Sequence, residues 1–175
     1  MTNCEYCQIV TGAVKAKKVY EDDKVLAILS PMPASMGHII VFPKEHVPIL
    51  ENVKDSIVAH MFIIANKLSI AVFDSIGAHG TNIIIQNGIA AGQKVAHVCM
   101  HIIARRENDG LNLMWQPKSL SEEQMSTVEL QLKEAANAIG EFEKEEKIPV
   151  DLDKKKEIKE IKGDNYLIRQ LKRIP

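Results

Sequence analysis

The sequence has no uninterrupted apolar run of bilayer-spanning length, no internal repeat and no low-complexity linker. A membrane helix needs about 20 predominantly apolar residues, so no membrane is expected as a partner. Met1-Thr2-Asn3-Cys4-Glu5 does not read as a secretory leader, which opens on basic residues and an apolar core. A formal net charge of -1 gives no global pull toward nucleic acid, which is an unlikely partner, or toward anionic lipid. Cysteine is scarce: three residues, an odd number, two of them in the spacing Cys4-x-x-Cys7 and none in a second such pair. Together these absences point to a cytoplasmic protein. In a reducing cytosol the Cys4/Cys7 pair reads as a metal half-site or redox pair rather than a structural disulfide.

What is present fits one domain of 175 residues with a short appendage. The chain is 46% hydrophobic and 26% charged, enough for a core and ordinary for a globular surface. Asn3 is placed to cap a short helix carrying Cys4, Cys7, Gln8 and Ile9 and closing near Gly12. Two thiols a few residues apart suit half of a tetrahedral zinc site; two small buried residues are the plain alternative. Lys18 to Glu21 and Lys24 to Leu29 read as strands around the turn Glu21-Asp22-Asp23. Ser30-Pro31-Met32-Pro33 forces an extended loop. His38-Ile39-Ile40-Val41-Phe42 is nearly all apolar, as a central strand is. His46, in the loop Pro43-Lys44-Glu45-His46-Val47-Pro48, is the first distant histidine able to meet Cys4 and Cys7.

From about Val53 to Phe73 the period becomes helical, with Ile57, Met61, Ile64, Leu68 and Val72 in three- and four-residue steps ending before Gly77. Met61-Phe62-Ile63-Ile64-Ala65 is apolar on more than one face, as in a helix buried between a sheet and a partner subunit or in a thick local core. His60 and His79 read as structural or surface residues. Thr81 to Gln86 is a further strand, followed by the turn signal Asn87-Gly88. The loop Gly88 to Gly92 leads into Gly92-Gln93-Lys94-Val95-Ala96-His97-Val98-Cys99-Met100-His101. Read with period two, His97, Cys99 and His101 share one strand face and Val98, Met100 and Ile102 the other. The Gly92-Gln93-Lys94 segment suits a loop that presents backbone N–H groups to an anion. Ser121-Glu122-Glu123-Gln124 is a capping box opening a helix to about Phe142, with Val128, Leu132, Ala135, Ala136 and Ile139 on its apolar side. Residues 151–175 hold eight Lys/Arg against five Asp/Glu, a local net charge of +3.

Taken together, Gly37-His38-Ile39-Ile40-Val41-Phe42-Pro43-Lys44-Glu45-His46, then Gln86-Asn87-Gly88, then Gly92-Gln93-x-Val95-x-His97-x-Cys99-x-His101-Ile102-Ile103-x-Arg105 resemble the histidine triad (HIT) family of nucleotide hydrolases and transferases. Cys4-x-x-Cys7 and Val19-Tyr20-Glu21-Asp22 resemble its zinc-bearing branch. The resemblance covers roughly residues 3 to 140. It implies an α+β fold: a five-stranded antiparallel sheet with one long and one short helix, doubled by a homodimer. To this the sequence adds a C-terminal helix and a charged extension, dividing the chain into a domain over residues 1–143 and an extension over 144–175. The resemblance also implies one structural zinc per chain, held by Cys4, Cys7, His46 and His97.

The activity it implies is cleavage at the α-phosphate of nucleoside phosphoramidates or dinucleoside polyphosphates, with a purine nucleotide such as AMP or GMP bound. Cys99, His101 and Gln86 would be catalytic. Ser30, Pro31, Gln86, Gly92, Gln93, Lys94, Cys99 and His101 would contact the nucleotide. This chain departs from the family's pattern at the centre of the triad, where Cys99 replaces the attacking histidine. Lys94 stands for Ser or Thr, Ala104 for Pro, and Ser30 for Asp or Asn. A thiol with pKa ~8.5 is only about 3% thiolate at pH 7, although a thiolate is a strong nucleophile. Cysteine is also shorter than histidine, and a misplacement of ~1 Å costs about a hundredfold. The alternatives are a nucleotide-binding module that has lost attack and an interaction protein working through its tail.

Overall fold

The computed structural model describes residues 4–137 and residue 139. These fall into two compact units that divide after Leu111. The first holds a five-stranded antiparallel sheet in the order β1-β2-β3-β5-β4. The strands are β1 (Lys18–Glu21), β2 (Val25–Leu29), β3 (Ile39–Pro43), β4 (Gly80–Ile85) and β5 (Met100–Arg105). β2 and β3 are runs of buried apolar residues because helices cover both of their faces.

The register explains how. Ile40 pairs with His101 and Ile39 with Ile102, so alternate residues of β3 and β5 face opposite ways. Val25, Ala27, Ile39, Val41, Met100 and Ile102 pack on the long helix α2 (Asp55–Ile76) through Met61, Ile64, Ala65, Leu68 and Val72. Leu26, Ile28, Ile40 and Phe42 face the short helix α1 (Glu5–Val10) and pack on Tyr6 and Ile9. Each large apolar side chain buried here is worth about 1.5–3 kcal/mol. α2 ends at Gly77, whose φ of 63° supplies the left-handed turn that stops the helix.

Several expectations change. The N-cap position of α1 is Cys4, without a side-chain cap, and Asn3 lies outside the described residues. With 22 residues and a mean hydropathy of 1.7, α2 is long and apolar enough to cross a membrane. His60, Asn66 and Lys67 interrupt its apolar run in the sequence. Its Met61–Val72 stripe is packed on the sheet, as in a core helix. β5 begins only at Met100, so His97 and Cys99 precede the strand and His97 sits in a bend.

The second unit contributes α3 (Glu122–Ala136), opened by the expected reciprocal cap between Ser121 and Gln124. It runs to Ala136, and the expected end at Phe142 lies outside the described residues. Among the described residues none of α3 is buried, and Val128 and Leu132 are exposed. The boundary placed between residues 143 and 144, and the charged extension after it, lie outside the described residues.

Candidate functional site

Two clusters of reactive side chains lie on the α1 side of the sheet. In the first, Cys4, Cys7, His46 and His97 bring one ligand atom each to within 4.8 Å of one another. Cys4 Sγ is 3.4 Å and Cys7 Sγ 3.7 Å from His97 Nδ1, and Cys7 Sγ is 3.3 Å from His46 Nδ1. A tetrahedral zinc with ordinary Zn–S and Zn–N bonds separates S and N ligands by ~3.6 Å, so the spacing fits. The orientation fits too. His97 Nε2 donates to the Pro43 carbonyl at 2.9 Å, which fixes the proton there and turns the Nδ1 lone pair toward the cysteines. Burial lowers the His97 pKa, keeping the ring neutral as a metal ligand requires. The four residues come from the helix start, the β3–α2 loop and the bend before β5, gathered from positions up to 93 apart in sequence.

In the second cluster Cys99 Sγ lies 3.5 Å from His101 Nε2, and His101 Nδ1 lies 3.0 Å from His38 Nε2. The Ala34 amide donates to His38 Nδ1 at 3.0 Å, and a neutral imidazole carries one proton. His38 therefore holds its proton on Nε2 and gives it to His101 Nδ1, leaving the His101 proton on Nε2, facing the sulfur. Neutrality of both rings follows from their surroundings. Burial and then the neighbouring His101 lower His38 to about 4, and burial lowers His101 as well. The Tyr6 hydroxyl donates to the same sulfur at 3.8 Å. Burial pushes the Cys99 thiol up while this Tyr6 bond pulls it down.

The loop between β4 and β5 closes the site. A short 3-10 turn, Ile89–Ala91, is framed by Gly88 and Gly92 at φ of 88° and 92°. A Cβ on Gly92 would stand 2.7 Å from Gln86 Nε2, so Gln86 lies directly on the loop backbone. Gln93 is a brace: its Oε1 accepts from the Gly88 amide, and its Nε2 donates to the Pro48 and Val95 carbonyls. Asn87 adds a second tie, accepting from the Leu50 amide and donating to Glu51. The expected anion cradle differs here. The amides of Gly92 and Gln93 donate to the Ile89 and Gly88 carbonyls within the loop itself. Lys94 is exposed, Pro31 is exposed, and Ser30 is tied through its amide to the His38 carbonyl.

The three polar residues share the α1 face, as expected, but join different clusters. His97 belongs to the four-residue cluster, while Cys99 and His101 keep company with two residues absent from the expected site, His38 and Tyr6. His38 is legible in hindsight as a polar start to an otherwise apolar strand. Nothing local marks Tyr6 beyond its place between two cysteines.

A five-stranded antiparallel sheet carrying a thiol–imidazole line beside a Cys/His cluster defines a histidine-centred α+β domain. The HIT domain family matches residues 11–108, more than half of the chain, and the chain belongs to that family. It is 40% identical over 118 residues to adenylylsulfatase HINT3 of Arabidopsis thaliana, covering 67% of this chain and 58% of that protein. It is 33% identical over 127 residues to adenosine 5'-monophosphoramidase hnt1 of Schizosaccharomyces pombe, covering 72% and 92%. Among solved structures it resembles a Zn-bound histidine triad family protein from Mycobacterium smegmatis, with TM-score 0.61, 33% identity, and coverage of 78% and 97%.

Proposed function

We propose that the protein is a nucleotide hydrolase or transferase acting at the α-phosphate of a nucleoside phosphoramidate or dinucleoside polyphosphate, with Cys99 as the attacking group. The observation that carries this reading is the line from His38 through His101 to Cys99. It leaves a proton on His101 Nε2, where a hydrogen-bond donor to the leaving group is needed, and directs two donors at one sulfur. The sulfur forms an S–P bond as the bond from Pα to the leaving group breaks, the thiol proton goes to that group, and the His101 Nε2–H hydrogen-bonds to it while staying neutral. Water then attacks the S–P bond, its oxygen and one hydrogen going to Pα and its other proton to the departing sulfur, which regenerates the thiol. Gln86, Gly92, Gln93, Lys94, Ser30 and Pro31 surround the nucleotide in this reading, with Gln93 acting through the loop it braces. AMP or GMP is the expected ligand, and the names of the two relatives favour the adenylate. Zinc is the metal expected at Cys4, Cys7, His46 and His97, one per chain. The exposed Phe62 and Ile63 of α2 and Ile83 of the edge strand β4 support a homodimer. We place the protein in the cytoplasm, with residues 144–175 as a charged extension of the domain.

A second reading, a nucleotide-binding module without turnover, is favoured by the same tautomer. A neutral His101 with its proton on Nε2 cannot accept the thiol proton. Mass spectrometry after incubation with adenosine 5'-phosphoramidate separates the two. One adenylyl group on Cys99, with AMP release abolished in Cys99→Ser, supports the enzyme. Micromolar AMP binding by calorimetry without adduct or release supports the module.

A further inference from the structure

Helix α1 supplies more than two thiols. Between Cys4 and Cys7 it carries Tyr6, whose ring stacks on Phe42 at a centroid distance of 4.6 Å and meets His97 edge-on at 5.6 Å. A buried tyrosine hydroxyl needs a partner, and Cys99 Sγ provides it at 3.8 Å. We propose that Tyr6 is a positioning residue for Cys99, holding Sγ in one rotamer against His101 and making its place depend on the helix that carries Cys4 and Cys7.

The argument is geometric. A cysteine side chain has three staggered χ1 positions. Here the sulfur has a hydroxyl from α1 at 3.8 Å and the His101 ring nitrogen from β5 at 3.5 Å, so one rotamer satisfies two donors from two elements. Sulfur hydrogen bonds are long and weak, but a shift of ~1 Å at an attacking atom costs about a hundredfold. α1 has six residues, too few to hold itself as a helix. Its place depends on burial of Tyr6 and Ile9 and on the Cys/His cluster around it. Cys4, Cys7, His46 and His97 would hold α1 in place when they share a metal, and α1 in turn places Tyr6 and Tyr6 the sulfur. As a catalytic device this rests on Cys99 being the attacking group, whereas the position of the sulfur does not.

The test uses the full chain, loaded to one zinc per chain, as wild type, Tyr6→Phe and the control Tyr20→Phe, whose lost hydroxyl bonds Asp22 instead. Tyr6→Phe keeps the ring stack and removes only the donor. Crystal structures should give one Sγ position in wild type and a displaced or multiple Sγ in Tyr6→Phe; an unmoved single Sγ overturns the inference. Adduct formation on Cys99 from adenosine 5'-phosphoramidate should slow about tenfold in Tyr6→Phe, with KM and metal content unchanged and Tyr20→Phe at the wild-type rate. Stripping the zinc should slow wild type similarly and add nothing in Tyr6→Phe; full additivity overturns the dependence on the metal-site helix. If wild type forms no adduct, the hydrolase reading fails, and the paired crystal structures still decide the role of Tyr6.

Discussion

His38 Nε2 lies 3.0 Å from Nδ1 of His101, and this one contact decides which nitrogen of His101 carries its proton. Without it that proton is free to move to Nδ1, and Nε2 becomes an acceptor with no hydrogen bond to offer a leaving group. His38→Ala is expected to lower kcat by about 10- to 100-fold with little change in KM. His38→Gln, whose amide can still donate to Nδ1, should recover part of the loss. Steady-state release of AMP measures both.

The same histidine sets an acid limit on stability. Burial and His101 hold it at about 4 in the fold, against ~6.5 in an unfolded chain. Between those values the unfolded chain binds a proton that the native protein refuses, so stability falls as pH falls from ~6.5 through about 4. The contribution is complete above the upper value and on the order of 3 kcal/mol across the window. Urea unfolding at stepped pH should give His38→Gln a flatter slope there than wild type.

Removal of metal from the Cys4, Cys7, His46 and His97 cluster should destabilise the amino-terminal helix and the bend before β5 together. At metal a thousandfold above its Kd, binding adds about 4 kcal/mol, or about 10 °C in thermal midpoint for a chain of this size. Treatment with a strong chelator, followed by calorimetry and elemental analysis, measures the loss. His97→Ala should lose the metal and the Pro43 bond together, and fall further than Cys4→Ser.

Gly92→Ala tests the loop. The φ of 92° strains any residue with a Cβ, and that atom would press on Gln86 Nε2 at 2.7 Å. The backbone strain costs about 1–2 kcal/mol, while Gln86 can swing aside because its amide is the flexible end of the side chain. Chemical denaturation should give the backbone cost. Calorimetric AMP binding should weaken to the extent that Gln86 contacts the nucleotide.

Asp22 ties the β1–β2 turn to α2. It accepts from the Lys24 and Val25 amides, from the Tyr20 hydroxyl and from His60 Nε2 at 2.6 Å. Burial works against the charge, yet these donors hold the carboxyl well below the usual range. Its contribution is therefore full above ~3.9, the ordinary carboxylate value, and lost as pH falls below it. Asp22→Ala should cost about 1–3 kcal/mol in urea unfolding at pH 7.

Much of this was legible from residue order because periodicity reports burial. The apolar run in β3, the three- and four-residue steps of α2 and the Ser121/Gln124 cap each produced the element expected. The period also sorted His97 and Cys99 from Val98, Met100 and Ile102 onto opposite faces, but the strand ladder starts only at Met100. Before it the backbone bends, with the His97 amide turned to the Val95 carbonyl and the Val98 amide to Val47, and alternation alone does not encode that bend. Contacts such as Tyr6 to Cys99, 93 residues apart, exist only after the sheet has formed and leave no local trace.

β3 joins the two clusters as well as supporting them. His38 stands immediately before it, the Pro43 carbonyl that orients His97 ends it, and His46 follows three residues later. Five residues at ~3.4 Å rise set the spacing between a proton relay at one end and a ligand cage at the other. The length of this segment is thus a fixed dimension of the site in the mechanical sense. One residue inserted between Ile39 and Pro43 would turn either His38 or the Pro43 carbonyl away from its partner.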